Sequence, residues 1–570
     1  MDCGQMAIDE SFMDFIFGNN LSFEDENIGG CTVRIDENWS VGYGMLPPGR
    51  TLSVADLKYH SIPKLYTTVD SSSFDSSGIS AALSQPVLDV KGRGIVIGII
   101  DTGIDYTDGV FKESPVSTRI GTMWDQSQSA WENQTEDNPA FFGKVYTRET
   151  INKALAALEE GENYRAIVPE VDETGHGTFV AGIAASAAPE AELAVVKLKP
   201  AKKYLKNFFL VDDKNDVYEE TDMMLGVRFL LDYATKNNKP LVILVSLCTG
   251  SGPRTGATPF ASVLSGAALR TNVVVVTAMG NEANSRTHIS GTAVSNVNPY
   301  VCEVNVGKDE MGFVVELWAS TIDVLSISFL SPSGESVPRI PAKNRTDFSY
   351  RFLLEKTTVT VDYQVVEELS GYELIFIKFI SPAQGVWRIN VYSLTTIQGS
   401  FNMWLPIKKL MNSETFFLDS DPFVTLLEPA ADERVISIGS YNHVTGGPDI
   451  DSGRGYSANG AVKPDVVAPG VNVSWPVEGE SVQSAEGAIR VMSGTSVAAA
   501  HVAGMAALLL QWGVTDGNDR LMGNNQIKSI LARGAVRNVN ALQEGVTYPD
   551  PVSGYGKANI MDSFIQLRIN

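Results

Sequence analysis

Three short segments of this 570-residue chain supply a carboxylate, an imidazole and a hydroxyl, in that order. They centre on Asp101, His176 and Ser496, within the words Asp-Thr-Gly, Gly-His-Gly-Thr and Gly-Thr-Ser. A serine hydroxyl is a poor nucleophile at its free pKa, so it needs a general base within hydrogen-bond reach. That base in turn needs a partner that fixes its tautomer and stabilises its charged form. The three residue types therefore predict a nucleophilic hydrolase.

The carboxylate follows an element that would position it. The run Gly94–Ile100 is continuously apolar and of strand length, which is typical of a parallel strand buried on both faces. Sites in open α/β sheets are built just outside such strand ends, where Asp101 stands. An aspartate after a strand also commonly caps a turn, and Asp105 is a nearby competitor, so both alternatives stay open.

The imidazole is one of only five in the chain. His176 lies between two glycines and opens the stretch Val180–Ala188, whose small and apolar residues predict a packed helix. A histidine in a helix-capping loop is the alternative interpretation. His501 follows Ser496 in the same predicted helix and is better explained as a structural residue of that helix.

The hydroxyl stands at the start of another predicted helix. Ser496 is followed by a long run of small and apolar residues up to Leu510, which predicts a buried helix with the serine in its first turn. A helix N-terminus offers unpaired N–H groups and positive partial charge where an oxyanion would develop. A serine at a helix start is usually an N-cap. Only the presence of the Asp101 and His176 motifs in the same chain favours a nucleophile at Ser496.

These words resemble the three signatures of the subtilisin-like serine proteases, and the order Asp, His, Ser is the subtilisin order. The resemblance implies an α/β fold, with a parallel sheet flanked by helices. It also implies a serine endopeptidase that works through an acyl-enzyme and needs no cofactor. Calcium sites are frequent in that family, but no stretch of this sequence has a recognisable calcium-loop spacing, so no metal is predicted. Ser496 would attack, His176 would transfer the proton and Asp101 would orient His176.

Two further segments resemble this family. Val273–Asn281 is an apolar run ending in glycine and an amide, which implies that Asn281 donates to the oxyanion; a turn residue with left-handed backbone is the alternative. The run Leu241–Leu247 resembles the strand that pairs with substrate, which implies substrate contacts at Ser246, Leu247 and Cys248.

Three positions depart from the family pattern without removing a catalytic atom. Cys248 replaces a usual glycine, Phe179 a common histidine and Ala500 a usual proline. Cys248 would narrow the pocket for the substrate residue before the cut, so the departures bear on specificity more than on activity.

The domain organisation follows from spacing. By resemblance, residues 1–85 are expected to form a propeptide that is cut by the enzyme itself between Ser71 and Gln85; an N-terminal decoration that is never cut is the alternative. Asn281 and Ser496 are 215 residues apart, far more than a compact member of the family needs. The catalytic domain is therefore predicted over 86–300 and 430–570, with an insertion over 301–429.

The insertion is predicted to be an antiparallel sandwich, of the jelly-roll type, because short β-rich runs alternate there with turn words. The predicted strands are Phe313–Ala319, Val324–Leu330, Thr357–Tyr363, Tyr372–Ile380, Val386–Tyr392 and Phe401–Leu405. A second, smaller insertion is predicted over Val110–Pro169, with a helix over Ile151–Glu160.

Composition limits the partners and the compartment. A formal net charge of −23 disfavours nucleic acid and anionic membranes, which require a positive patch. The four cysteines form no disulfide framework or zinc spacing and are expected to be free thiols. No standard secretion signal and no uninterrupted apolar stretch of about 20 residues is found. Cytoplasmic synthesis without membrane insertion is therefore expected, with spore association or release by lysis as later steps.

The predicted jelly roll, the segment Ile62–Tyr66 and the phrase Gly94–Thr107 together resemble the clostridial Csp group of spore-germination proteases. An active member of that group cleaves the proform of a cortex-degrading hydrolase, and some members are pseudoproteases lacking triad residues. The expected partners are thus a protein or peptide substrate and the chain's own propeptide. Two other hypotheses stay open: a pseudoprotease that binds a partner through its cleft, and a self-cut scaffold that its propeptide inhibits.

Overall fold

The chain begins with a small antiparallel sheet of three strands in the order β1-β3-β2. The computed structural model describes residues 3–19, 29–45, 52–53, 57–66, 73–128, 142–343, 347–394, 397–475, 491–537 and 547–567. The elements of this first part are α1 (Cys3–Ile8), β1 (Met13–Gly18), β2 (Gly29–Arg34), β3 (Trp39–Met45), β4 (Leu65–Tyr66) and α2 (Ile79–Leu83).

The expectation of four free thiols is wrong for one pair. Helix α1 packs against β2 and β3 and brings Cys3 and Cys31 into a disulfide, with their Cα atoms 5.5 Å apart. Sequence spacing gave no framework signal, because the pairing depends on how the helix folds back onto the sheet. Cys248 and Cys302 are free and buried.

The next part of the chain supplies the middle of the main sheet and the helices on both of its faces. Its strands and helices are β5 (Val96–Asp101), β6 (Lys112–Ser114), β7 (Ser117–Thr118), β8 (Ile120–Asp125), β9 (Lys144–Thr147), α3 (Arg148–Glu159), α4 (His176–Ala187), β10 (Glu192–Lys197), α5 (Lys203–Phe209), β11 (Tyr218–Glu219), α6 (Glu220–Lys236), β12 (Leu241–Val245), α7 (Pro259–Ala268) and β13 (Val273–Ala278). The helix predicted at Ile151 is confirmed as α3. Strand β8, however, joins the main sheet beside β10, so the region predicted as a second insertion is partly built into that sheet.

Two antiparallel sheets follow, packed around one apolar cluster. Their strands are β14 (His288–Thr292), β15 (Tyr300–Val306), β16 (Gly312–Ser320), β17 (Leu325–Leu330), β18 (Ser336–Ile340), β19 (Asp347–Arg351), β20 (Thr358–Gln364), β21 (Tyr372–Ile380), β22 (Gly385–Ser393), β23 (Ser400–Trp404) and β24 (Phe416–Phe417). The sheet orders are β14-β23-β16-β21-β20-β19 and β18-β17-β22-β15-β24. All six predicted strands are present, and the first strand of this sandwich begins before the boundary predicted at residue 301. Its jelly-roll type stays a prediction.

The chain then returns to the main sheet. Its last elements are β25 (Ile436–Tyr441), β26 (Val466–Pro469), β27 (Val473–Ser474), β28 (Val491–Met492), α8 (Thr495–Leu510), α9 (Asn524–Arg533) and α10 (Ile560–Gln566). The main sheet has the order β26-β25-β13-β12-β5-β10-β8-β9, and every neighbouring pair is parallel except β8 and β9.

Apolar residues of the central strands alternate between two cores. On β5, Ile97 and Ile99 pack with α4 and α8, whereas Val96 and Ile100 pack with α6, α7 and the N-terminal sheet. Burial on both faces explains the continuous apolar runs of these strands.

Helix α8 is the most apolar helix in the main core. Together with the turn that extends it to Thr515, it has a mean hydropathy of 1.6 and is long enough to cross a membrane. In the fold, 89% of the 18-residue apolar stretch within this segment is buried against the rest of the protein, as is typical of a core helix.

Candidate active site

The site is built where β5 ends and α4 begins. Asp101 is the last residue of β5 and His176 is the first residue of α4. The His176 Nδ1 atom lies 2.8 Å from the Asp101 Oδ1 atom, and both side chains are buried. The structure thus brings together the carboxylate and the imidazole that the sequence analysis paired.

Asp101 is fixed by two further hydrogen bonds. The Thr102 N–H group donates to Oδ1 at 2.7 Å, and the Ser246 hydroxyl donates to Oδ2. Burial alone would raise the pKa of Asp101, but the charge of His176 and these hydrogen bonds outweigh it and hold the pKa below its usual range. The carboxylate therefore stays charged at neutral pH.

Ser496 is the second residue of α8 and is fully buried. Its hydroxyl donates to the Ser246 carbonyl oxygen at 3.1 Å. Gly494, just before the helix, has a φ of +136°, a backbone conformation that side chains other than hydrogen rarely permit. Ser246 is thus bonded both to Asp101 and to Ser496, and it ties the strand end to the start of the helix.

Asn281 follows β13 and faces the start of α8. Its Oδ1 atom accepts from the Thr495 N–H group at 3.1 Å and from the Thr495 hydroxyl at 3.3 Å. Engaging the oxygen in this way orients the amide, so that Nδ2 is the end that can donate to an oxyanion. The left-handed backbone at this turn belongs to Gly280, with a φ of +88°.

Asn281→Ala is expected to lower kcat by about 10²- to 10³-fold with little change in KM, because an oxyanion donor acts only once charge develops. Steady-state kinetics on a peptide substrate would measure both constants. Asn284→Ala changes a nearby exposed asparagine and should match the parent. A loss confined to KM would contradict the oxyanion role.

The three residues predicted to bind substrate lie inside the protein. Ser246, Leu247 and Cys248 are all fully buried. The Ser246 side chain holds Asp101, Leu247 packs in an apolar core, and the Cys248 thiol donates to the Ala278 carbonyl oxygen at 3.2 Å. Burial raises the pKa of the Cys248 thiol. Contact of this segment with a substrate stays a prediction.

Sequence analysis missed Asp172, whose carboxylate connects the loop after Asp101 to the loop that leads into His176. Its Oδ1 atom accepts from the Thr102 hydroxyl at 2.8 Å and from the Gly175 N–H group at 3.0 Å. Its Oδ2 atom accepts from the Thr178 N–H group and hydroxyl, both at 2.8 Å. An aspartate just before a Gly-His-Gly-Thr loop is the sequence signal, because such side chains commonly bond backbone N–H groups a few residues on.

The described segments also bear on metal binding. Within them, no group of three or more histidine, cysteine, aspartate or glutamate side chains is placed to hold a metal ion. The Asp101 and Asp172 carboxylates are engaged by hydroxyl, imidazole and backbone donors.

A mostly parallel sheet, with an aspartate at a strand end and a histidine and a serine at helix starts, defines the class of protein. The model of the Subtilase family matches residues 92–349 and 415–556, more than half of the chain. The chain belongs to the subtilase family.

One solved structure is similar over nearly the whole molecule. It is the CspB protease of Clostridium perfringens, with a TM-score of 0.73 and 30% identity over 87% of this chain and 97% of that one. This similarity includes the sandwich as well as the main sheet, since so much of both chains is covered.

Two curated relatives match a smaller share of this chain. Subtilisin-like protease SBT2.2 of Arabidopsis thaliana is 24% identical over 74% of this chain and 55% of its own length. Serine protease AprX of Bacillus subtilis is 37% identical over 15% of this chain and 23% of its own length. The chain spans about half the length of the first of these relatives and a smaller part of the second.

Proposed function

We propose that the protein is a serine endopeptidase whose catalytic triad is Asp101, His176 and Ser496. The observation that carries the proposal is the 2.8 Å contact between His176 and Asp101, beside a serine at the start of a buried helix. Membership of the subtilase family supports it.

The proposed reaction has two halves, acylation of Ser496 and hydrolysis of the acyl-enzyme, and His176 transfers protons in both. Ser496 attacks the scissile carbonyl while His176 takes its proton at Nε2, because Nδ1–H is bonded to Asp101. Asp101 stabilises the imidazolium that forms. Asn281 Nδ2 and the Ser496 N–H group hold the oxyanion, and His176 then protonates the leaving amine. Water, activated by His176, hydrolyses the acyl-enzyme.

The same site is proposed to cut its own chain. Strand β4 pairs antiparallel with β11. Tyr218 of β11 also forms a bridge with Pro200, three residues after Lys197 of β10, and Lys197 pairs with Asp101 of β5. Further along, the Ser73 N–H group donates to His501 Nε2 at 2.8 Å, and His501 follows Ser496 on α8. The described segments before residue 67 and after residue 72 are therefore each anchored to an element that carries or adjoins the proposed site.

We place the self-cleaved bond between Tyr66 and Ser73. The interval predicted from sequence, Ser71 to Gln85, overlaps this placement only at its start, and residues 67–72 lie outside the described residues. Helix α2 within that interval packs Ile79 and Ala82 into the main core, so a cut there would break a folded helix.

One observation favours the alternative in which the cut N-terminal segment stays bound as an inhibitor. Asp14 of β1 is buried, and Lys202 Nζ lies 2.5 Å from its carboxylate. The Thr221 hydroxyl donates to the same carboxylate at 3.1 Å. Around this pair, Ile16, Val41 and Tyr43 of the N-terminal sheet pack into the same apolar core as α6 and α7, and this buried apolar area would retain the segment after cleavage of the covalent link.

We further propose that the substrate is a protein zymogen such as a spore-cortex hydrolase, and that the protein acts in association with spores. The support is the likeness to the Clostridium perfringens CspB protease and the sequence resemblance to the Csp group. Cytoplasmic synthesis is part of the same proposal.

Intact mass combined with a fluorophosphonate serine probe tests the function. We expect two fragments divided between residues 66 and 73, with one probe adduct on the larger fragment, at Ser496. A single uncut chain that takes no probe would contradict the proposal and favour a pseudoprotease that acts by binding.

A further inference from the structure

The N-terminal segment, taken as the described residues up to Tyr66, contacts the main-sheet unit through a buried cluster of charged groups. The titratable groups that face one another in this cluster are Asp14 of β1, Tyr43 of β3, Lys199 and Lys202 between β10 and α5, Tyr204 of α5, Glu219 of β11 and Asp222 of α6. The carboxylate and ammonium side chains among them are all buried. Asp14 and Tyr43 come from the N-terminal segment and the others from the main-sheet unit, so the cluster lies at the contact between these two parts.

Two lysines hold three carboxylates in this cluster. Lys202 Nζ lies 2.5 Å from Asp14 Oδ1, and Lys199 Nζ lies 2.8 Å from Asp222 Oδ2. The Glu219 carboxylate lies 3.9 Å from Lys199 Nζ and accepts from the backbone N–H group of Lys202 at 2.7 Å. Each lysine is thus in close contact with one carboxylate, and Glu219 supplies the third.

Docking of Asp14 gives the cluster a surplus negative charge. Among the described groups, three carboxylates face two ammonium groups, and the neighbouring pair of Lys64 and Glu220, 4.0 Å apart, adds one charge of each sign. The positive end of α6 offsets only about half an elementary charge. The Thr221 hydroxyl lies 3.1 Å from Asp14 and 3.4 Å from Glu219, and one hydroxyl has a single proton to donate. A surplus charge away from water is costly, so the docked cluster binds a proton.

The affinity of the cluster for this proton depends on the N-terminal segment. In the docked state, burial and the charge of Asp14 raise the pKa of Glu219 to about 8, and burial raises the pKa of Asp222 to about 6. When the segment leaves, Asp14 leaves with it, and two carboxylates then face two lysines in contact with water. Their pKa values return towards the ordinary range near about 4. The docked state therefore binds about one proton more than the separated parts between about pH 5 and about pH 8.

We propose that retention of the cleaved N-terminal segment is coupled to the uptake of a proton by this cluster, so that the segment is held at mildly acidic pH and released as the pH rises. The inference rests on the proposed self-cleavage and adds regulation to it, because loss of a bound inhibitor frees the proposed site. A group whose pKa is higher in the docked state stabilises that state below its ordinary pKa, and this contribution is lost as the pH rises through the docked value. The dissociation constant therefore rises by up to about tenfold per pH unit in this range.

The dissociation constant of the two fragments, measured against pH by fluorescence anisotropy of a labelled N-terminal fragment, tests the coupling. Between about pH 5.5 and about pH 7.5, we expect it to rise in the self-cleaved parent by about 10²-fold more than in Glu219→Gln. A glutamine at this position can still accept from the Lys202 N–H group but cannot take up a proton. Asp14→Asn removes the carboxylate that docking adds, so it should flatten the profile by the same factor.

Glu367→Gln is the matched control. Glu367 is a buried carboxylate of the sandwich that contacts the N-terminal segment through His60, with Oε1 and Nδ1 3.0 Å apart. A histidine also titrates in this pH range, so this pair is the competing source of pH dependence. Glu367→Gln should keep a rise of about 10²-fold. If Glu367→Gln flattens the profile while Glu219→Gln matches the parent, the pair is the source and the proposal is overturned.

The same measurement can be made without self-cleavage. In Ser496→Ala, a site for an added protease, placed between Tyr66 and Ser73, gives two fragments divided in the same interval. A parent chain that stays uncut and takes no serine probe would refute the proposed peptidase. Equal pH profiles of the cut Ser496→Ala chain with and without Glu219→Gln would overturn the coupling alone. If Glu219→Gln does not fold, Asp14→Asn decides the question.

Discussion

Ser496→Ala is expected to abolish peptide hydrolysis and self-cleavage, with kcat falling by about 10⁶-fold, as it does when a subtilisin loses its nucleophile. The side chain donates one hydrogen bond, to the Ser246 carbonyl oxygen, so its removal costs stability by only about 0.5–1.5 kcal/mol. Kinetics on a peptide substrate, intact mass and thermal unfolding of the purified variant measure the three quantities.

Ser493→Ala is the control for the nucleophile. Ser493 is exposed just before α8, and its hydroxyl bonds to Asn472 rather than to a residue of the proposed triad. This variant should keep the parent's activity and its probe adduct. Robust hydrolysis by Ser496→Ala, or equal loss in both variants, would show that another group is the nucleophile.

Elements with strong periodic signals could be predicted from the sequence. The apolar run before Asp101 is β5, and the run predicted over Tyr372–Ile380 has the same bounds as β21. Each strand is buried on at least one face, and a buried face requires apolar residues, so these strands are visible in the sequence pattern. The position of Ser496 in the first turn of α8 is also predicted, because a long stretch of small and apolar residues follows it.

Strands at the edges of the sandwich were missed for a physical reason. Strands β18 and β19 are each the last in their sheet, so only one neighbour pairs with them. Pro338 lies in β18, and a proline usually argues against a strand, since it cannot donate to the ladder. Short, half-exposed edge strands therefore leave a weak pattern in the sequence.

Contacts between distant parts of the chain could not be predicted. The sequence predicts only a substrate contact for Ser246, and in the fold its hydroxyl also bonds to Asp101 and its carbonyl oxygen to Ser496. The Cys3–Cys31 disulfide and the pairing of β4 with β11 also depend on tertiary folding. The local sequence pattern identifies the residues that carry the chemistry. The groups that hold those residues in place come from distant parts of the chain, so they become visible only in the fold.

Ser246 gives the site a particular rigidity. One residue bonds the proposed orienting carboxylate through its side chain and the proposed nucleophile through its main chain. Asp101 of β5 and Ser496 of α8 are therefore held against the same residue at the end of β12. Such preorganisation is what charge stabilisation in a buried site requires.

Asp101→Asn is expected to lower kcat by about 10⁴-fold while the fold persists. With its oxygen at the Oδ1 position, an asparagine can still accept from Thr102 and His176, and the Ser246 hydroxyl can rotate to accept from the new amide. The geometry is kept, but the negative charge that stabilises the imidazolium is lost. Kinetics at neutral pH, with thermal unfolding as the check on the fold, measure this effect.

Asp105→Asn separates this role from that of a nearby carboxylate. Asp105 is exposed and accepts only within its own turn among the bonds described, from the Thr107 N–H group at 3.0 Å and hydroxyl at 2.6 Å. It should retain the parent's activity. The pH profile of kcat adds a second test. Because the pKa of Asp101 is below its usual range, this carboxylate is charged from about pH 5 upward. The loss of kcat in Asp101→Asn should therefore be present over that whole pH range. A variant within tenfold of the parent across that range would mean that Asp101 only caps its turn.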